Sequence, residues 1–109
     1  MARDPSESPV IERDAKVEPS KPKLQPPPMY RIILYNDDYT PMYFVVHVLM
    51  KFFNMDETRA ELLMLTVHYQ GKATIGIYPR EIAETLSEKI NEYSRESNHP
   101  LLAGVEKDE

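Results

Sequence analysis

Apolar positions along the chain recur with two different periods, and the changes between them mark the elements. Residues 30–35 (Tyr-Arg-Ile-Ile-Leu-Tyr) are rich in β-branched and aromatic side chains and are bounded by Pro28 and Asn36, as a strand is. From Phe44 the period becomes helical, with Phe44, Val45, Val48, Leu49, Phe52 and Phe53 on one predicted buried face. Thr40 suits the N-cap of that helix, and Pro41 its first position, where a missing N–H costs nothing. Asp56 can cap a second helix over residues 57–69, with Ala60, Leu63, Met64 and Val67 inward and Gln70-Gly71 as its stop. Residues 72–78 return to period two, placing Ala73, Ile75 and Ile77 on one side and Thr74, Gly76 and Tyr78 on the other.

Pro79 opens a third helix whose expected inward positions are Ile82, Ala83, Leu86, Ile90 and Tyr93. Its opposite side carries Glu81, Glu84, Glu88 and Glu92, which reads as a solvated face. Pro100 biases His99 away from helix, and residues 101–106 read as a last strand weakened by Gly104. The order β-α-α-β-α-β predicts a small α+β domain over residues 29–109, a three-stranded antiparallel sheet packed against three helices.

Residues 1–28 break this pattern. They hold seven of the ten prolines, and their only sizeable apolar side chains are Met1, Val10, Ile11, Val17 and Leu24. Such a segment buries too little surface to offset the entropy of ordering, so a disordered, Pro-rich N-terminal arm is expected. Its charges cancel, since Asp4, Glu7, Glu12, Asp14 and Glu18 face Arg3, Arg13, Lys16, Lys21 and Lys23. The net charge of -5 therefore belongs to the domain. An acidic domain without a basic cluster is a poor partner for nucleic acid, whose phosphates need neutralising. With no cysteine, no apolar run of membrane-spanning length and no signal-like leader, the expectation is a cytoplasmic protein that neither carries disulfides nor enters a membrane.

Candidate chemistry concentrates between the first strand and the first helix, where residues 36–42 read Asn-Asp-Asp-Tyr-Thr-Pro-Met. Asn and Asp here can simply close a turn and complement a helix dipole. On the second helix, Met64, Val67 and His68 share a face at i, i+3, i+4. The three histidines, His47, His68 and His99, have no metal-ligand spacing, and no Gly-rich phosphate loop, nucleophile elbow or cysteine supports catalysis. No cofactor or metal is expected, and an enzyme using Asp37, Asp38 and His68 is the remote reading. A carboxylate, an amide and a neutral imidazole are, however, all acceptors, which a primary ammonium with three N–H donors requires. The thioethers of Met42 and Met64 beside them offer an adaptable apolar lining. An ammonium next to a hydrophobic side chain is the amino terminus of a polypeptide.

The blocks Met29-Tyr30, residues 36–42, residues 64–72 with Val-His-Tyr-Gln-Gly-Lys, Ala83-Glu84-Thr85 and His99-Pro100-Leu101-Leu102 closely resemble the bacterial ClpS adaptor family. The resemblance spans residues 29–107. It implies an N-end rule adaptor, not an enzyme, that binds N-degron proteins beginning with Leu, Phe, Tyr or Trp and delivers them to the N-domain of the AAA+ unfoldase ClpA, in the ClpAP protease. It also implies roles: Asn36, Asp37 and His68 for the substrate α-amino group, and Asp38, Thr40, Met42, Val45, Met64, Val67 and Leu101 for the side-chain pocket. Glu81 and Leu86 fall in the region of unfoldase contact, and residues 1–28 correspond to the delivery arm.

The chain departs from the family pattern at two of these places. Tyr43 stands where Thr-Pro-Met is commonly followed by Glu, so the Thr-x-x-Glu capping box is lost. Leu86 stands where Ala-Glu-Thr is commonly followed by Lys. An interaction domain of the same fold with altered or inactive amine recognition is the alternative reading.

Overall fold

The structure is a computed structural model and describes residues 25–109. Most of the expected arm, residues 1–24, lies outside the described residues; residues 25–28 are exposed and without regular structure. The element order is β1 (Met29–Tyr35), α1 (Met42–Phe53), α2 (Glu57–Gln70), β2 (Lys72–Pro79), α3 (Arg80–Glu96) and β3 (Leu102–Lys107). The sheet is antiparallel in the order β2-β1-β3. This is the α+β architecture the periods predict.

β1 is central because both neighbours complete its hydrogen bonding, and its middle residues Ile32, Ile33 and Leu34 are buried. Ile32 and Leu34 join Val48, Leu49, Ala60, Val67, Ala83 and Ile90 in one core. The helix α3 packs across all three strands, α2 against β2, and α1 on α2 and α3. The free edge of β3 is covered by Asn91, whose side chain donates to the Ala103 carbonyl (3.1 Å) and accepts from the Ala103 N–H (2.7 Å). That pairing satisfies an edge that would otherwise offer itself to another strand.

Three expectations are corrected. Ile77 does not face the core: β2 has a bulge at Ile75, because Ile32 pairs with Gly76 while Ile33 pairs with Thr74. An extra residue reverses the alternation beyond it, so Ile77 is 47% exposed and Tyr78 packs on the core instead. On α3 the buried line is Ala83, Ser87, Ile90 and Ser94, with Leu86 and Tyr93 half-buried at its side and Ile82 exposed. Small side chains let the helix approach the sheet closely, and the Ser94 hydroxyl is satisfied by the Ile90 carbonyl at 2.8 Å. Finally, α1 begins one residue late, at Met42, with Pro41 at its N-cap and no side-chain cap bond. Thr40 does not cap it, since its hydroxyl is used elsewhere. The second helix follows expectation, with Asp56 Oδ1 accepting from the Arg59 N–H and Gly71 left-handed at φ 91°.

Candidate functional site

β1 and β2 pair as far as Tyr35 opposite Lys72, which sets the end of β1 beside the turn that closes α2. The Asn36 N–H continues the pairing by donating to the Gly71 carbonyl at 2.9 Å. Gly71 in turn donates to the Val67 carbonyl, so Asn36 is pinned next to the last turn of α2, where Val67 and His68 lie. The acceptors proposed from opposite parts of the chain are therefore neighbours because of two backbone bonds and one left-handed glycine.

Asp37 shapes the loop that follows. Its Oδ1 accepts the N–H groups of Tyr39 (2.8 Å) and Thr40 (2.7 Å), and its Oδ2 accepts the Thr40 hydroxyl (2.8 Å). A charged acceptor is the stronger partner for that hydroxyl, which explains why Thr40 leaves the helix uncapped. Partial burial pushes the Asp37 carboxyl up. The Thr40 N–H and hydroxyl, the Tyr39 N–H and the electrostatic influence of the nearby His99 outweigh it and hold the group below the usual carboxylate range. Of about four acceptor directions on a carboxylate, Asp37 keeps one free besides its charge. The side chains of Asn36, Asp38 and His68 form no hydrogen bond with another described residue.

These residues surround a cleft of about 370 Å³. Asn36, Asp37, Asp38, Thr40, Met42, Val45, Met64, Val67 and His68 all line it, together with Tyr39 and Pro41. Val45 and Val67 are buried and form its floor, while Met42 and Met64 remain partly exposed as its walls. Leu101 does not line this cleft. It is buried behind it, beside a small void bounded by Tyr35, Asn36, Asp37, Thr40, Val45 and Val67. Among the described residues no Lys or Arg lines the cleft, and the carboxylates of Asp37 and Asp38 set the sign of the field their neighbours make there. Such a chamber suits a cation attached to an apolar group.

Glu81 and Leu86 stand apart on α3, Glu81 exposed and Leu86 half-buried against the core. Sequence reasoning missed Tyr39 and Pro41 at the cleft, although both lie inside the Asn-Asp-Asp-Tyr-Thr-Pro-Met block that drew attention. It also missed His99, which packs on Phe44 with ring centroids 4.4 Å apart and acts on Asp37. No local pattern marks that contact, because it depends on how β3 approaches the sheet. Among the described residues no three His, Asp or Glu side chains gather as a metal site requires, and no helix is long and apolar enough to cross a membrane.

The family model described as ATP-dependent Clp protease adaptor protein ClpS matches residues 25–104. The chain belongs to the ClpS family. An ATP-dependent Clp protease adapter protein ClpS of Pectobacterium carotovorum subsp. carotovorum is 60% identical over 87 residues, covering 80% of this chain and 82% of the relative. Agrobacterium tumefaciens ClpS2, solved bound to L-phenylalaninamide, superposes with a TM-score of 0.75 at 36% identity, over 76% of this chain and all of that one. ClpS proteins are adaptors of the Clp protease and not themselves proteases. The departures at Tyr43 and Leu86 thus sit within a ClpS fold: Tyr43 is exposed in the first turn of α1, which carries no acidic residue, and Leu86 fills space against the core.

Proposed function

We propose that the cleft binds the first residue of polypeptides beginning with Leu, Phe, Tyr or Trp, and that the chain hands these N-end rule substrates to the N-domain of a ClpA-type unfoldase. Through that contact it changes what ClpAP degrades. The observation that carries the reading is the convergence of Asn36 and His68, whose side chains engage no other described residue by hydrogen bond, at the mouth of an apolar chamber floored by Val45 and Val67. The solved relative binds an amino-acid amide, whose free amine and benzyl group have the chemistry such a chamber would accept.

In this reading Asn36, His68 and the remaining acceptor direction of Asp37 hold the ammonium. Met42, Met64, Val45 and Val67 enclose the side chain, Asp38 and Thr40 border it, and Leu101 supports the floor from behind. Burying a Leu or Phe side chain contributes about 1.5 to 3 kcal/mol, and a hydrogen bond to a charged group about as much. After association costs, affinity on the order of micromolar follows. Glu81 is the exposed acidic contact for the unfoldase; Leu86, being packed on the core, changes that surface mainly by removing the charge of the Lys common in the family. The arm serves delivery rather than binding, and the compartment is the cytoplasm.

His68→Ala tests the site directly. Losing one acceptor to a charged donor should weaken a Leu- or Phe-initiated peptide by about tenfold or more. Unchanged affinity in the variant would remove His68 from the site.

A further inference from the structure

Met42 and Met64, the two walls of the cleft, are also the near side of a second groove of about 380 Å³. Between the helices this groove is lined by Tyr43 and Met50 from α1, which are 72% and 39% exposed, and by Glu57 and Glu61 from α2. The two carboxylates are one helical turn apart and exposed, and neither forms an ion pair with another described residue. His47, also on the groove, has its Nε2 2.6 Å from the Tyr93 hydroxyl. An apolar channel ending in two carboxylates fits a long aliphatic stem that carries a cation.

We propose that this groove takes the side chain of the third residue of the bound polypeptide and prefers Arg or Lys there. The inference rests on the amino-terminal reading of the neighbouring cleft. Side chains of an extended chain alternate in direction, with a rise of about 3.3 Å per residue. When the first side chain enters the cleft, the second therefore points to solvent. The third returns to the same surface roughly 7 Å along, past the Met42 and Met64 walls. Its stem would lie on Tyr43 and Met50, with the guanidinium or ammonium at Glu57 and Glu61 and in reach of the Tyr43 ring.

The test is a titration of peptides that share a free Leu amino terminus and carry Arg, Ala or Glu at the third residue. A matching set varies the second residue, and N-acetylated twins accompany both. At low ionic strength Arg at the third residue should bind about three- to tenfold tighter than Glu, and added salt should narrow the gap. The double variant Glu57→Gln/Glu61→Gln should reduce it to within about twofold. Glu88→Gln, on the exposed side of α3, should leave it intact, which separates the groove from the overall negative charge. Equal binding of the Arg, Ala and Glu peptides, or a preference that follows the second residue, overturns the groove assignment while free and acetylated peptides still differ. If free and acetylated peptides bind alike, the failure belongs to the amino-terminal reading on which the groove depends.

Discussion

The Asp37 carboxylate accepts two backbone N–H groups and a hydroxyl within three residues, while its neighbours Asn36 and Asp38 make no such side-chain bonds with other described residues. Asp37→Asn would keep an oxygen for the backbone donors but present an amide nitrogen, itself a donor, to the Thr40 hydroxyl. Chemical denaturation should show a loss of about 1 kcal/mol near neutral pH. The carboxyl is held below its ordinary value in the folded state, so its stabilising contribution is complete above that ordinary value, near about 3.9. It is lost as the pH falls through the lowered folded value. The gap between parent and variant should therefore shrink on acidification; a gap independent of pH would place the effect elsewhere. The residue types at this site were legible in the sequence, since Asn-Asp-Asp before a helix marks a polar junction. The division of labour was not, because three adjacent acceptors look alike until the loop turns one of them back on its own backbone.

Within single elements, the starts and stops of α2 and β2 were readable from Asp56, Gly71 and Pro79, whose conformational preferences act locally. The bulge at Ile75 was not readable, because it arises from registry between β1 and β2, and it turned Ile77 outward and Tyr78 inward. Gly76 accommodates that change. A Cβ there would lie 2.6 Å from Tyr78 Cε2, so Gly76→Ala should push the ring off the core and cost about 1 to 3 kcal/mol. Most of that cost should vanish in a Tyr78→Ala background, as thermal melts of the four proteins would show. On α3, hydrophobicity favoured Ile82 as well as Ala83, whereas closeness to the sheet kept Ala83 and added Ser87 and Ser94. Period alone finds a helical face but not the side of it where small residues let the backbone come nearest.

At the scale of the whole molecule, the element order and class followed from the sequence because each apolar run is bounded by Pro, Gly or Asp. The central position of β1 carried no such local mark. The cleft exists only at this scale: β1 to β2 pairing brings Asn36 to Gly71, and the packing of α1 on α2 sets Met42 opposite Met64. Since described residues between Asn36 and His68 line the cleft, a chain starting at residue 25 should bind Leu- or Phe-initiated peptides as the full chain does. It should fail to promote their degradation by ClpAP if the arm serves delivery; full degradation by the shortened chain would assign delivery to the domain itself. The central claim is recognition of a free amino terminus beside a hydrophobic side chain. Its most direct measurement is a titration, at neutral pH, of a Phe-initiated peptide against its N-acetylated twin. The free peptide should bind with a Kd on the order of micromolar, and the acetylated one should show no measurable binding at the same concentrations. Equal affinity for the two would contradict the account and leave a ClpS fold whose cleft does not read the amine.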